Sequence, residues 1–557
     1  MDWMYLVYFL LGSLLFIGAK PVGRDEWNEE YTSREQTKVL QGVMALCIIL
    51  HHMGQKTCAS WQPSQYVVHG LDFFVPMGYL FVGVFFFCSG LGLIRSLRTK
   101  PDYLKGFCRR RILPLAITFY LSEIIYTVIR WLVGEKMENG QFLRYLTGWY
   151  MANFNAWHVV VIVFFYLVFW ASFRFCKNEG IALSLVFLFT LAYTVLGAVV
   201  GHPKAGWPAG EWWYNSIILF PLGLLFGKFE EEVTAFFRRK YWLWLVAFFA
   251  AAILLFRWSE DAVSHTWGYY GLNGPSLRVR DSLLSAGTQW LAGIAFTGTC
   301  FLLMMKVRLG NRVLAWLGGL TLELYLMHGL FVEMFGFNFH DVARSVMYIR
   351  KVPLYMAAVL ACSVPAAVLF RNFRLSVTGP LVRQGAPEGK KPARTVAAKI
   401  ARWVLPLLFV GLIVSIIPMS REEARVVGGL KIKPPAGYEL TFSDSRMAKW
   451  VYKGSDKKPG QIVLDEEIRG YNAEKFMTVE AVMEKCFWLE DREIYVNPNG
   501  VRMVRGFCMD TSVYPERRYY VECSSHMFLL SMIEDSRYYD TQDCEEAMQQ
   551  TADAIRR

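Results

Sequence analysis

The sequence predicts an all-α multi-pass membrane bundle of about twelve transmembrane helices, followed by a small C-terminal α+β domain outside the cytoplasm. Three observations carry that reading. The 557 residues are 54% hydrophobic and only 19% charged, where soluble proteins carry about a quarter charged residues, and mean hydropathy is +0.27. Apolar runs approaching the roughly 20 residues that a bilayer core requires recur along the chain, separated by polar breaks. Beyond Pro418 the composition turns abruptly polar, over a length that suits one small domain.

The apolar runs start near Tyr5, Val39, Phe73, Ile112, Trp157, Ile181, Trp213, Trp242, Leu283, Val313, Pro353 and Trp403. The first, within residues 1–33, has Asp2 before it and Lys20 and Arg24 after it, the reverse of a signal peptide, so it reads as an extra membrane helix and a cytoplasmic loop. The next ten runs fall in residues 34–375 as one membrane domain. Residues 376–400, with Gly385, Pro387, Gly389 and Pro392 among basic residues, read as a cytoplasmic linker, and residues 401–418 as a final membrane helix.

If connectors alternate sides, one set carries 28 Lys and Arg and the opposite set 10. The positive-inside rule makes the richer set cytoplasmic and both termini extracytoplasmic, which is the arrangement expected in a cell membrane. The net charge of +12 reflects those loops. No compact basic domain exists to bind nucleic acid.

Residues 419–557 alternate strand-like runs (Tyr438 to Phe442, Lys449 to Tyr452, Gln461 to Leu464, Glu493 to Val496, Val501 to Cys508, Arg518 to Cys523) with helical spacing at Val479 to Cys486 and Cys544 to Ile555. Asn497-Pro-Asn-Gly500 reads as a hairpin turn. Cys486, Cys508, Cys523 and Cys544 form an even set in an oxidising compartment. Disulfides in any of three connectivities, or four buried thiols, both fit. Only Cys523 and His526 have close metal-ligand spacing, which argues against zinc, and no metal is expected elsewhere.

The chemistry concentrates in three segments. Lys38-Val-Leu-Gln41 leads through an apolar run to His51-His52. Eleven residues are almost three helical turns, so Gln41 and His52 share a face, with Lys38 one turn below and His51 about 100° away. Ionisable groups at membrane depth are functional suspects; a neutral buried imidazole suits a general base, whereas histidines at the outer interface would do nothing. The second segment, Phe81-Val-Gly83-Val-Phe-Phe-Phe-Cys88-Ser89-Gly90-Leu-Gly92, places small residues among aromatics as helix-packing sites do. It leads to Arg109-Arg110-Arg111, which serve either as topology anchors or as forks for the phosphates of an anionic cofactor. The third, Leu320-Thr-Leu-Glu323-Leu-Tyr325-Leu-Met-His328, holds an acid with no Lys or Arg nearer in sequence than Arg312, so Glu323 must be neutral or paired within the bundle. His328 lies fifteen residues after Val313 and His52 fourteen after Lys38. At 1.5 Å per residue that puts both roughly 20 Å from the cytoplasmic face, deep enough to share a cavity.

The order of these segments, with Trp157 opening a helix between the second and third, resembles the acyltransferase 3 family of membrane acyltransferases across about Arg34 to Phe373. The resemblance implies transfer of an acyl group, commonly acetyl, from cytoplasmic acyl-CoA to a hydroxyl of a carbohydrate at the cell surface or on its way out. It assigns the family's essential histidine to His52 and matches Ser89, Glu323, Tyr325 and His328. Two positions depart from the pattern: Gln41 stands where the family has Arg or Lys, and Cys108 stands where the first of two cytoplasmic arginines belongs.

On this reading His52, His51 and Glu323 are the catalytic candidates. Lys38, Gln41, Arg109, Arg110 and Arg111 bind the acyl-CoA donor, and Ser89, Trp157, Tyr325 and His328 line the acceptor pocket. His52 deprotonates the acceptor, or is itself transiently acylated. Two other classes compete: a proton-coupled transporter using Glu323 and the histidines as a relay, which lacks the usual internal repeat, and a receptor that senses through its outer domain.

Overall fold

In the computed structural model of the chain, residues 3–60, 67–132, 140–148, 150–202, 208–336, 349, 351–383, 425–427, 430–433, 435, 437–443, 447–452, 461–466, 478–486, 489–508, 516–523, 526–533 and 541–556 are described. They fall into two compact units. One comprises Met1–Gln55, Gly70–Val332 and Pro353–Leu412, and the other Lys56–His69, Glu333–Val352 and Ile413–Arg557.

The first unit is helical because its apolar runs must satisfy every backbone group internally. Its helices are α1 (Trp3–Phe16), α2 (Arg34–Thr57), α3 (Gly78–Thr99), α4 (Leu113–Leu132), α5 (Gln141–Leu146), α6 (Trp157–Phe175), α7 (Glu179–Val200), α8 (Leu219–Lys228), α9 (Glu230–Arg239), α10 (Tyr241–Asp261), α11 (Arg278–Lys306), α12 (Arg312–Gly318), α13 (Thr321–Phe335) and α14 (Val352–Arg383). Among the described residues eight helices are long and apolar enough to cross a bilayer, a ninth if the pair α12 and α13, bent by 83°, is one broken span.

Two of the twelve expected spans are not among these helices, and a third lies beyond the comparison. The run from Tyr5 forms a helix too short to span, and the run from Trp213 is helical only over Leu219–Lys228, since residues 211–218 are spent in a 3-10 turn and bends. The run from Trp403 and the linker after residue 383 lie outside the described residues.

Glycines set the closest crossings. A Cβ on Gly90 would lie 2.2 Å from the Phe220 carbonyl oxygen, and one on Gly223 2.2 Å from that of Phe87, so α3 and α8 touch backbone to backbone. Gly42 and Gly318 do the same for α2 and α12, where the added carbons would meet the carbonyl oxygens of Leu314 and Lys38 at 2.0 and 1.8 Å. Gly92 faces open space. Residues after α1 and after α11 meet in the short antiparallel pair β1 (Lys20–Pro21) and β2 (Val307–Arg308). Beside it Lys306 Nζ donates to the carbonyls of Arg24 and Glu26 and lies 3.8 Å from the Trp27 ring centroid.

The C-terminal part of the second unit has a small pair, β3 (Arg425–Val427) with β4 (Leu430–Ile432), and a seven-stranded antiparallel sheet. The sheet's strands are β5 (Tyr438–Ser443), β6 (Met447–Tyr452), β7 (Gln461–Glu466), β8 (Glu490–Val496), β9 (Arg502–Cys508), β10 (Glu516–Cys523) and β11 (His526–Ile533), in spatial order β5-β6-β7-β11-β10-β9-β8. Helix α16 (Thr541–Ala554) packs on one core with Trp450, Phe528 and Leu530, and α15 (Val479–Lys485) on another with Val504, Tyr520 and Met527. The β8–β9 turn is the expected one: Asn497 Oδ1 accepts from the amides of Asn499 and Val501 at 3.0 and 2.8 Å, and Gly500 takes φ +76°. Cys486, Cys508 and Cys544 are buried and none of the three is in a disulfide. Cys486 and Cys544 belong to different cores, so no bridge joins them.

Candidate functional site

Two helices bring His52 and His328 together. His52 Nδ1 lies 2.6 Å from His328 Nε2, and the rings are almost parallel, with centroids 4.9 Å apart. His328 is fully buried, and its Nδ1 lies 2.8 Å from the Leu324 carbonyl oxygen. A carbonyl only accepts, so His328 Nδ1 carries a proton; in the neutral ring Nε2 then accepts, and His52 Nδ1 must donate to it. The chain of bonds leaves the lone pair of neutral His52 on Nε2. His51 is used differently: its Nδ1 donates to the Phe74 carbonyl at 2.9 Å, and its ring lies where any Cβ on Gly78 would be, tying α2 to the start of α3.

Along the same face of α2, Lys38 Nζ donates to the Gly318 carbonyl at 2.7 Å, and Gln41 lies beside Cys88 of α3. Lys38 is close enough to Arg34, Glu323 and Arg371 to feel their charges. Glu323 is ion-paired, its Oε1 accepting from Arg374 Nη2 of α14 at 2.5 Å. The paired alternative for this buried acid therefore holds, with a cation fifty-one positions away in sequence.

The three arginines part company at the five-residue π-turn Cys108–Ile112 that precedes α4. Arg110 folds back to donate to the Tyr103 carbonyl at 2.9 Å. Arg111 and Ser89 both lie near the Tyr166 hydroxyl, and Arg109 is exposed.

Trp157 opens α6 and its ring lies against Trp213, centroids 6.2 Å apart. The residues before it are clamped. Glu123, fully buried on α4, accepts from the Ala152 amide at 2.6 Å, Arg130 donates to the Ala152 carbonyl at 2.6 Å, and Asn153 Nδ2 donates to the Leu326 carbonyl of α13 at 2.9 Å. Gly329 lets Asn155 and Tyr126 approach α13 beside His328, since a Cβ there would sit 2.0 Å from Asn155 Nδ2. Tyr325 faces His158 edge-on, with centroids 5.5 Å apart, and lies 6.1 Å from His328.

Of the residues singled out from sequence, His52, His328 and Tyr325 form one cluster with Trp157 beside Tyr325. Lys38 and Gln41 lie about three to four turns back along α2, Glu323 lies five residues before His328 on α13 and within reach of the Lys38 charge, and Ser89 and Arg111 lie beside Tyr166. Glu123, Arg130, Asn153, His158 and Arg374 escape the sequence reading. Glu123 too is an acid in an apolar run, with Arg130 seven residues further along the same helix. In the turns flanking α8 and α10, burial, with Arg278 nearby, holds His202 down to about 4; its Nε2 lies 3.0 Å from the Tyr214 hydroxyl. Burial raises the Glu211 carboxyl above its ordinary value, and Tyr270 donates to it at 2.9 Å. Among the described residues no three His, Cys, Asp or Glu side chains are grouped to hold a metal ion.

Comparison with known proteins adds one finding. The Acyl_transf_3 family model, described as an acyltransferase domain, matches residues 37–369. No curated protein and no solved structure matches the chain.

Proposed function

Since the chain belongs to the acyltransferase 3 family and is a membrane acyltransferase, we propose that it moves an acyl group, acetyl in the simplest case, from cytoplasmic acyl-CoA to a hydroxyl of a surface or exported carbohydrate. The observation that carries the mechanism is the directed chain from His52 through His328 to the Leu324 carbonyl. It fixes the tautomer in which His52 Nε2 is the base, the service an orienting partner performs for a catalytic histidine.

The donor enters at the end of α2 that carries Lys38. Lys38, Arg371 and the exposed arginines of the α3–α4 connection supply positive charge for its phosphates. Its pantetheine arm follows the face through Gln41 toward His52, about 21 Å away along the helix axis at 1.5 Å per residue. His52 Nε2 takes the proton of the acceptor hydroxyl as that oxygen attacks the thioester carbon. Glu323, neutralised by Arg374, holds α13 to α14 and leaves the proton transfer to the histidines. We assign residues 419–557 to the extracytoplasmic side, as the basic-residue asymmetry of the connectors suggests, and give them the task of recruiting the acceptor.

Mass spectrometry of surface glycans from cells with the wild-type chain and with His52→Ala tests this directly. The expected result is loss of one ester-linked acyl increment in the variant. An unchanged glycan spectrum would rule the proposal out, and proton flux without acyl-CoA consumption would favour a transporter instead.

A further inference from the structure

Two polar side chains next to the histidine pair have no task in the mechanism above. His158 packs on Phe86 of α3, with ring centroids 4.6 Å apart, and its Nε2 is enclosed without a hydrogen-bond partner. The Tyr325 hydroxyl lies near the Trp157 side chain and the His158 backbone but, likewise enclosed, makes no well-formed hydrogen bond. Enclosed polar atoms without partners are rare because leaving them unbonded is destabilising, so two of them on facing rings 5.5 Å apart call for a polar occupant. Tyr325 precedes His328 by one turn on α13, on the flank nearer the Lys38–Gly318 crossing. A donor coming from that crossing meets Tyr325 and His158 just before it meets His52.

A phenol O–H and, in the Nε2-protonated tautomer, an imidazole N–H, set in a wall of Phe86 and Trp157, suit a single carbonyl oxygen. We propose that the Tyr325 hydroxyl and the His158 Nε2–H hold the carbonyl oxygen of the acyl thioester and carry its charge during transfer. The proposal rests on the acyltransferase reading. The acceptor oxygen, its proton taken by His52 Nε2, forms the new C–O bond while the carbonyl electron pair moves onto the oxygen held by Tyr325 and His158. On collapse the C–S bond breaks and the departing CoA sulfur takes the proton back from His52, leaving an ester and a free thiol. His158 and Tyr325 are thus catalytic residues of the oxyanion-hole kind.

The test uses the full-length chain in membranes, following transfer of radiolabelled acetyl from acetyl-CoA into the membrane carbohydrate fraction, with CoA affinity measured on purified protein. Tyr325→Phe and His158→Phe are expected to lower kcat by about a hundredfold or more, as loss of one oxyanion donor does. KM for acetyl-CoA and CoA affinity should stay within about threefold. His158→Gln, whose amide N–H reaches the same point, should recover about tenfold of the loss, by the same donor argument. Tyr325→Phe keeps the ring and decides the matter even where the change at 158 perturbs folding. A kcat near wild type in either Phe variant, or equal impairment of His158→Phe and His158→Gln, would overturn the proposal and leave a water site. Transfer by wild type but not by His52→Ala, with the Phe variants unaffected, would sink this inference alone; no transfer by wild type would remove the underlying reading as well.

Discussion

At position 52 the nitrogen that can act as a base is chosen by a neighbour from another helix. Because Leu324 fixes the proton on His328, loss of His328 removes the preference between the two tautomers of His52. His328→Ala is therefore expected to lower kcat about a hundredfold or more with little change in KM, and the double variant with His52→Ala should be no worse than His52→Ala alone, as for residues that act as a unit. Steady-state kinetics on the three variants checks both statements. His202 offers a second residue-scale test. Burial favours its neutral form, lowering it from 6.5 to about 4, so the stability it contributes is present above about pH 6.5 and is lost as pH falls from there toward 4. Thermal unfolding in detergent should fall more steeply across that window for wild type than for His202→Gln. At this scale sequence spacing reaches far: His52 and Gln41 share a face simply because eleven residues make three turns. It stops at the partners, since nothing in the run Thr321–Phe335 names Arg374, a cation fifty-one positions beyond Glu323.

At the scale of elements, the glycines divide by what faces them. Gly90 and Gly223 sit in backbone-to-backbone contact, whereas Gly92 meets nothing within 4 Å. Gly90→Ala and Gly223→Ala should each cost about 1–3 kcal/mol through overpacking, and Gly92→Ala should be neutral or slightly stabilising because alanine favours helix. Melting temperatures of the three variants in one detergent would decide it. The sequence reading treats Gly83, Gly90 and Gly92 alike, since periodicity reveals a small residue but not the element opposite. The same blindness hides β11. Met527–Leu530 is a continuous apolar run, and strict alternation is the strand signal. Lying between β7 and β10, this strand is buried on both faces, Phe528 and Leu530 in one core and Met527 in the other, which erases the alternation.

At the scale of the whole molecule, the chain divides into a membrane acyltransferase unit and a second unit that carries a seven-stranded sheet. An even number of cysteines in the tail made a disulfide framework one of two open readings; the structure buries Cys486, Cys508 and Cys544 as separate thiols. Its large cores, with Trp450, Tyr520 and Phe528 fully buried, serve where small secreted domains need bridges. Adding a reductant should leave thermal unfolding of the full chain unchanged, and a thiol-reactive maleimide should label these three positions only after denaturation. A drop in melting temperature on reduction would contradict the thiol assignment.

Local order in the chain was enough to establish that it is a membrane protein with a polar, mixed tail, and that His52, Glu323, Tyr325 and His328 are the residues to watch, because hydropathy, helical period and motif order are properties of neighbours in sequence. The fold alone decided that His52 leans on His328, that Arg374 neutralises Glu323, and that His158 and Glu123 belong to the same interior. Those pairings join helices far apart in the chain. They are selected by the requirement that each polar group taken out of water find a partner in space, a condition that no single segment can express.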